Sequence, residues 1–175
     1  MQTVKTKKLV LAAICLALCI VLPLLFHAVP NGGSIFLPIH IPVLLCGPLC
    51  GTVYGALCGV MGPLLSSLIT GMPPLSMAPA MMVECAVYGL VCGLLMHFVK
   101  TKKPLLNLYI SLVCAMLVGR VVAGLAKALI FTPGISPFAW VTTSIVTGIP
   151  GIIIQLILIP LLIIGLKRAG LINNG

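Results

Sequence analysis

Of the chain's 175 residues, 61% are hydrophobic and only 6% are charged, with a formal net charge of +9. So few charged side chains cannot solvate the surface of a water-borne enzyme or nucleotide-binding domain, and the composition is that of an integral membrane protein. Nor does the charge mark a nucleic-acid partner, because eight of the ten basic residues form three short clusters beside apolar runs, a topological signal.

A spanning helix needs roughly 20 apolar residues, so this length holds about six spans. The expected fold is a single all-α transmembrane domain over 1–175. The first span is predicted at 9–26, behind Lys5, Lys7 and Lys8, and is followed by the loop AVPNGGSIFLP. A short second span at 39–49 turns at CGPLCG into a third at 51–70. After GMPPLSMAP, a fourth span at 80–98 ends in Lys100, Lys102 and Lys103. Pro104 opens a fifth that reaches Phe131, and FTPGISP leads into a sixth at 138–168, interrupted by Pro150 and Pro160 and closed by Lys167 and Arg168.

Six spans put both termini on one side, and the three basic clusters agree that this side is the cytoplasm. The three uncharged loops rich in Pro, Gly and Ser then face outward. The N-terminus also has the outline of a secretory signal, but the charge alternation of the five later segments requires the first span to be retained.

The eight cysteines include no CxxC pair, and nearly all fall within predicted spans, which marks them as packing residues with no metal expected. Small residues at four-residue spacing (Ala13 and Ala17; Gly51, Gly55 and Gly59; Gly89 and Gly93) form stripes that let helix backbones approach closely. The first helix of a small bundle is often peripheral, so the Ala13 and Ala17 stripe is also a candidate surface for another protein.

Glu84 is the only acidic residue in the chain. It shares the apolar spans with two cations, Arg120 and Lys127, on one face of the fifth span. Burying such groups costs on the order of 3 kcal/mol each, and they are expected to face a partner or a wet cavity. At about 1.5 Å per residue, Glu84 and Lys127 each lie about one turn below the outer surface, which predicts that they pair. Arg120 lies roughly two turns deeper, near Tyr88 and Thr147, and is left without an acid. It either receives an anion from outside the sequence or caps carbonyls freed at a kink such as Pro150. Ser66, Ser67, Thr70, Thr142, Thr143 and Thr147 add polar groups to the outer half, implying a pocket open to the outside. His40, between Pro38 and Pro42, either anchors a loop or contacts a ligand.

These residues carry a resemblance. The run from LPIHIPVLLCG through PLLSSL and TGMPP to the acid followed by YGL and GLL is similar to the substrate-binding membrane subunits, or S components, of energy-coupling factor vitamin transporters. It covers roughly a third of the chain. The resemblance implies a protein of the bacterial cytoplasmic membrane that binds a vitamin or precursor from outside, beneath loops 28–38 and 71–79, the latter carrying Met72 and Ser76. Their prolines and glycines suit lids that close without regular structure. It further implies association with a transmembrane coupling subunit, through Ala13 and Ala17, and with two ATPases. The absence of a GxxxxGK[ST] loop assigns ATP hydrolysis to those partners, and no cofactor is expected.

The implied substrate contacts are Arg120, Glu84, Lys127, Tyr88, His40, Thr147, Thr143, Trp140, Met72 and Ser76. An unpaired Arg120 favours a carboxylate or phosphate, and Trp140 as the only indole argues against a large ring system. Pantothenate is therefore the first choice, with other B-vitamins and cobalamin precursors open. Two further readings compete. A proton-coupled secondary transporter would titrate Glu84 but needs an internal repeat, which is not found. An intramembrane enzyme would need a catalytic set, yet there is no Asp, HExxH or GxSxG.

Overall fold

A computed structural model describes residues 2–99 and 101–172, with side chains from residue 5 onward; Lys100 of the second basic cluster lies outside them. The described residues form helices α1 (Gln2–Leu25), α2 (Gly32–Phe36), α3 (His40–Cys50), α4 (Thr52–Thr70), α5 (Ala78–Phe98), α6 (Pro104–Ala126) and α7 (Pro137–Arg168), with a π-helical turn, Lys127–Phe131, extending α6. Six stretches are long and apolar enough to cross a membrane: Lys5–Leu25, Gly32–Cys50, Thr52–Thr70, Ala78–Phe98, Pro104–Phe131 and Pro137–Arg168. The chain is a multi-pass, all-α membrane protein.

The structure differs from the sequence reading in three elements. The 11 residues of α3 reach only about 17 Å, so the second crossing is made by α2 and α3 together, joined through Leu37 in a left-handed conformation (φ 51°). Part of the first outer loop is thus a short helix and not irregular chain. Pro150 and Pro160 do not interrupt the last span, since α7 runs through both; a membrane helix tolerates proline where neighbouring groups re-satisfy the freed carbonyl. Gly51 does not belong to the glycine stripe of the third span. With φ 99° it forms the break between α3 and α4, and Gly62 of α4 is buried instead.

Helices that are apolar all round have no hydrophobic stripe to choose their buried face, so small residues choose it. A Cβ on Gly55 would stand 2.6 Å from the Gly89 carbonyl oxygen, and one on Gly59 or Gly89 would collide with the facing backbone at Cys85 or Gly55. These contacts bring α4 and α5 together backbone to backbone. α3 lies innermost, with all but two of its 11 residues buried. Seven of the eight free cysteines are buried. Cys15, Cys19, Cys46, Cys50 and Cys58 belong to the core where α1, α3 and α4 meet, in keeping with their reading as packing residues. Leu9, Ile14, Val53, Leu57, Ile153 and Ile157 are exposed and form part of the surface available to lipid.

Candidate functional site

Glu84 lies in the second turn of α5 and is buried. Tyr88, four residues on and therefore on the same face, donates its hydroxyl to Glu84 Oε1 at 2.8 Å. His40, the first residue of α3, places Nε2 3.7 Å from the same oxygen. Its ring lies tilted 5.3 Å from that of Tyr88. Arg120 of α6 brings Nε to 3.6 Å from Glu84 Oε1. Three buried side chains, His40 of α3, Tyr88 of α5 and Arg120 of α6, thus converge on the buried Glu84 carboxylate.

The close approach of α5 and α6 sets this layer. Gly119 lies against the Tyr88 ring, and a Cβ there would stand 3.2 Å from the Glu84 carbonyl oxygen, so Arg120 is level with Glu84. Its guanidinium then reaches α7, where a Cβ on Gly148 would stand 3.0 Å from Nη2 and 3.1 Å from Leu37 Cδ1. Glu84 balances the charge of Arg120. Hydrogen bonding is incomplete, however: both ring nitrogens of His40 and Nε and Nη2 of Arg120 have no hydrogen-bond partner within the protein. A buried polar group left unpaired costs about 1–3 kcal/mol, and such a concentration calls for an explanation. The arrangement can supply several hydrogen bonds to a small polar molecule without adding net charge.

The predicted pairing of Glu84 with Lys127 is corrected. Lys127 opens the π-helical turn and holds Nζ 5.3 Å from the centroid of the Trp140 ring, while the contacts of Glu84 are to His40, Tyr88 and Arg120. Counting residues from each end of the span assumed that α5 and α6 begin and end at the same height. The Gly119 contact sets a different axial register, and Lys127, seven residues beyond Arg120, lies about 10 Å further along. The expectation that Arg120 lacks an acid falls with it.

The other candidates are distributed differently. Thr143 and Thr147 are exposed on α7, and Ser76 is exposed in its loop, so none of them joins the cluster. Trp140 is half-buried against Lys127. Met72 is half-buried beside the first covering segment, with Sδ 2.9 Å from His27 Nδ1. Ala13 and Ala17 are exposed on α1, while Cys15 and Cys19 between and beyond them are buried.

The sequence reading missed the α7 floor of the cover. Gly151 admits the backbone of α2, since a Cβ there would stand 2.7 Å from Ile35 O. Gln155, buried, donates Nε2 to Leu37 O at 3.4 Å. The available signal was the spacing of Gly148, Gly151 and Gln155 along one helical stripe, with Gln155 the only side-chain amide in α7. Elsewhere, an apolar groove of about 540 Å³ lined by Val60, Pro79, Met82, Val83, Ala86, Val87 and Phe131 offers no polar anchor. Among the described residues no group of His, Cys, Asp or Glu is placed to hold a metal ion.

A family model described as ECF transporter, substrate-specific component, matches residues 7–163. No curated protein and no solved structure matches the chain.

Proposed function

The chain belongs to the substrate-specific components of ECF transporters, and from that premise we propose that it captures a vitamin or vitamin precursor on the cluster of His40, Glu84, Tyr88 and Arg120. The protein is a transport subunit. The observation that carries the site assignment is the convergence of buried, unpartnered N–H groups of Arg120 and His40 on Glu84. Segments 28–38 and 71–79 cover the cargo, with both termini in the cytoplasm of a bacterial cell. Delivery runs through a transmembrane coupling subunit, docked on the exposed Ala13 and Ala17 of α1, and two ATPases. This partner-driven route leaves Glu84 a fixed counter-ion, not a proton carrier.

The same geometry bears on the cargo. A second anion beside Glu84 would have to share Arg120 in a low-dielectric site, where unbalanced charge is expensive. The argument for pantothenate from an unpaired Arg120 no longer holds, and the balanced pair favours a cargo that is uncharged where it meets Arg120. Mass spectrometry of small molecules released on denaturing the purified protein tests the reading, with a vitamin-class compound expected. Calorimetric titration with pantothenate and its uncharged alcohol analogue separates the two cargo classes. A preference of about tenfold for the carboxylate, equivalent to 1.4 kcal/mol, restores pantothenate.

A further inference from the structure

The two covering segments meet at one side chain. Met72 presents Sδ 2.9 Å from His27 Nδ1, and its Cε is the nearest atom, at 3.9 Å, to where a Cβ on Gly33 would stand. It therefore contacts His27 at the entrance to the first segment and lies over Gly33 in the first turn of α2.

Met72 is itself firmly held. Its amide donates to Thr70 Oγ1 at 3.2 Å, and its carbonyl accepts from Ser66 Oγ at 2.6 Å. Ser66 is fully buried at the outer end of α4. The first segment is likewise folded on itself, with Phe26 and Phe36 stacked at 4.8 Å. Its far end is anchored on α7 through Gly151 and through Gln155 to Leu37. Gly148 of α7 has both Leu37 Cδ1 and the Arg120 guanidinium beside it, so this segment links α7 to the end of α4 next to the polar cluster.

We propose that Met72 and His27 form a clasp that makes segment 28–38, with His27 at its entrance, and segment 71–79 open and close as one unit, with Met72 a positioning residue for cargo retention. Two loops that opened independently would let cargo escape whenever either opened. Joined at Met72, both must release together, and dissociation slows by the factor that the clasp contributes to closure.

The inference rests on reading these segments as the cargo cover, but its test needs no cargo. Hydrogen–deuterium exchange by mass spectrometry on the full chain in detergent micelles reads amides bonded within each segment, such as Gly32 to Val29, Leu37 to Gly33 and Met77 to Pro74. Met72→Ala is expected to speed exchange in 27–38 as well as in its own segment, and His27→Ala to speed it in 71–79, each by about fivefold, with the double variant little faster than either single one. Loosening confined to the substituted segment, or effects that multiply in the double variant, overturns the clasp. If Met72→Ala also loosens α3 and α5, the test passes to Met72→Leu, which keeps bulk over Gly33 and removes the sulfur facing His27. Faster exchange in 27–38 is then expected, and wild-type protection there overturns the proposal. Failure of the clasp leaves the cargo assignment standing, because cargo identification is a separate measurement.

Discussion

Arg120 Nε lies 3.6 Å from Glu84 Oε1, and the two side chains are closed off together, 4% and 8% exposed. Each is therefore the other's counter-charge in a region where water screens little. Glu84→Gln strands a buried guanidinium and should lower the unfolding free energy by about 3 kcal/mol. Arg120→Met should cost a comparable amount, and the double variant less than the sum by at least about 1 kcal/mol. Lys127→Met, which loses only its contact with Trp140, should cost about 0.5–1 kcal/mol and add independently to Glu84→Gln. Equilibrium denaturation in micelles measures all of these, and coupling of Glu84 to Lys127 in place of Arg120 would refute the assignment.

The α4 and α5 interface should tolerate no added atoms at its backbone contacts. Gly89→Ala drives a methyl into the Gly55 carbonyl, and since neither backbone can move like a flexible side chain, a loss of about 3 kcal/mol or more is expected. Gly165 of α7 has no atom within 4 Å of the added position, so Gly165→Ala should be neutral or stabilising by about 0.5–1 kcal/mol through helix propensity. Thermal unfolding of the two variants side by side checks the contrast.

Ala13 and Ala17 contribute an exposed flat stripe to α1, and the helix's buried face carries Cys15 and Cys19. Ala13→Trp or Ala17→Trp should leave thermal stability within about 2 °C of the parent and cargo affinity within a factor of about three. Co-purification with the coupling subunit should be lost, because close helix approach needs small side chains. A collapse of stability would place the stripe inside this chain's own packing.

Thr143 and Thr147 are exposed on α7, while Gly148 beside them lies against the Arg120 guanidinium. Thr143→Val and Thr147→Val should shift stability by no more than about 0.5 kcal/mol and leave cargo affinity unchanged within a factor of about two. Arg120→Met serves as the sensitive reference in the same calorimetric titration. A tenfold loss at either threonine would bring α7's outer face into the site.

Membrane class, six crossings and most helix ends were legible in the sequence. The length of an apolar run and the turn residues that end it are local properties, and the hydrocarbon thickness converts them directly into helices. The inward placement of Glu84 and Arg120 was legible for a related reason, since ionisable groups inside apolar runs have no good place on the lipid face, whereas for His40 a loop anchor and a ligand contact both stayed open. Which cation meets Glu84 was not. That choice depends on the axial register between α5 and α6, set where Gly119 meets the Tyr88 ring, and no spacing along either helix encodes it. Nor could the sequence show that Thr143 and Thr147 are exposed while Gly148, Gly151 and Gln155 pack against the cover. In helices apolar on every side, the inward face is selected by tight backbone contacts between elements far apart in the chain, so only tertiary packing decides it.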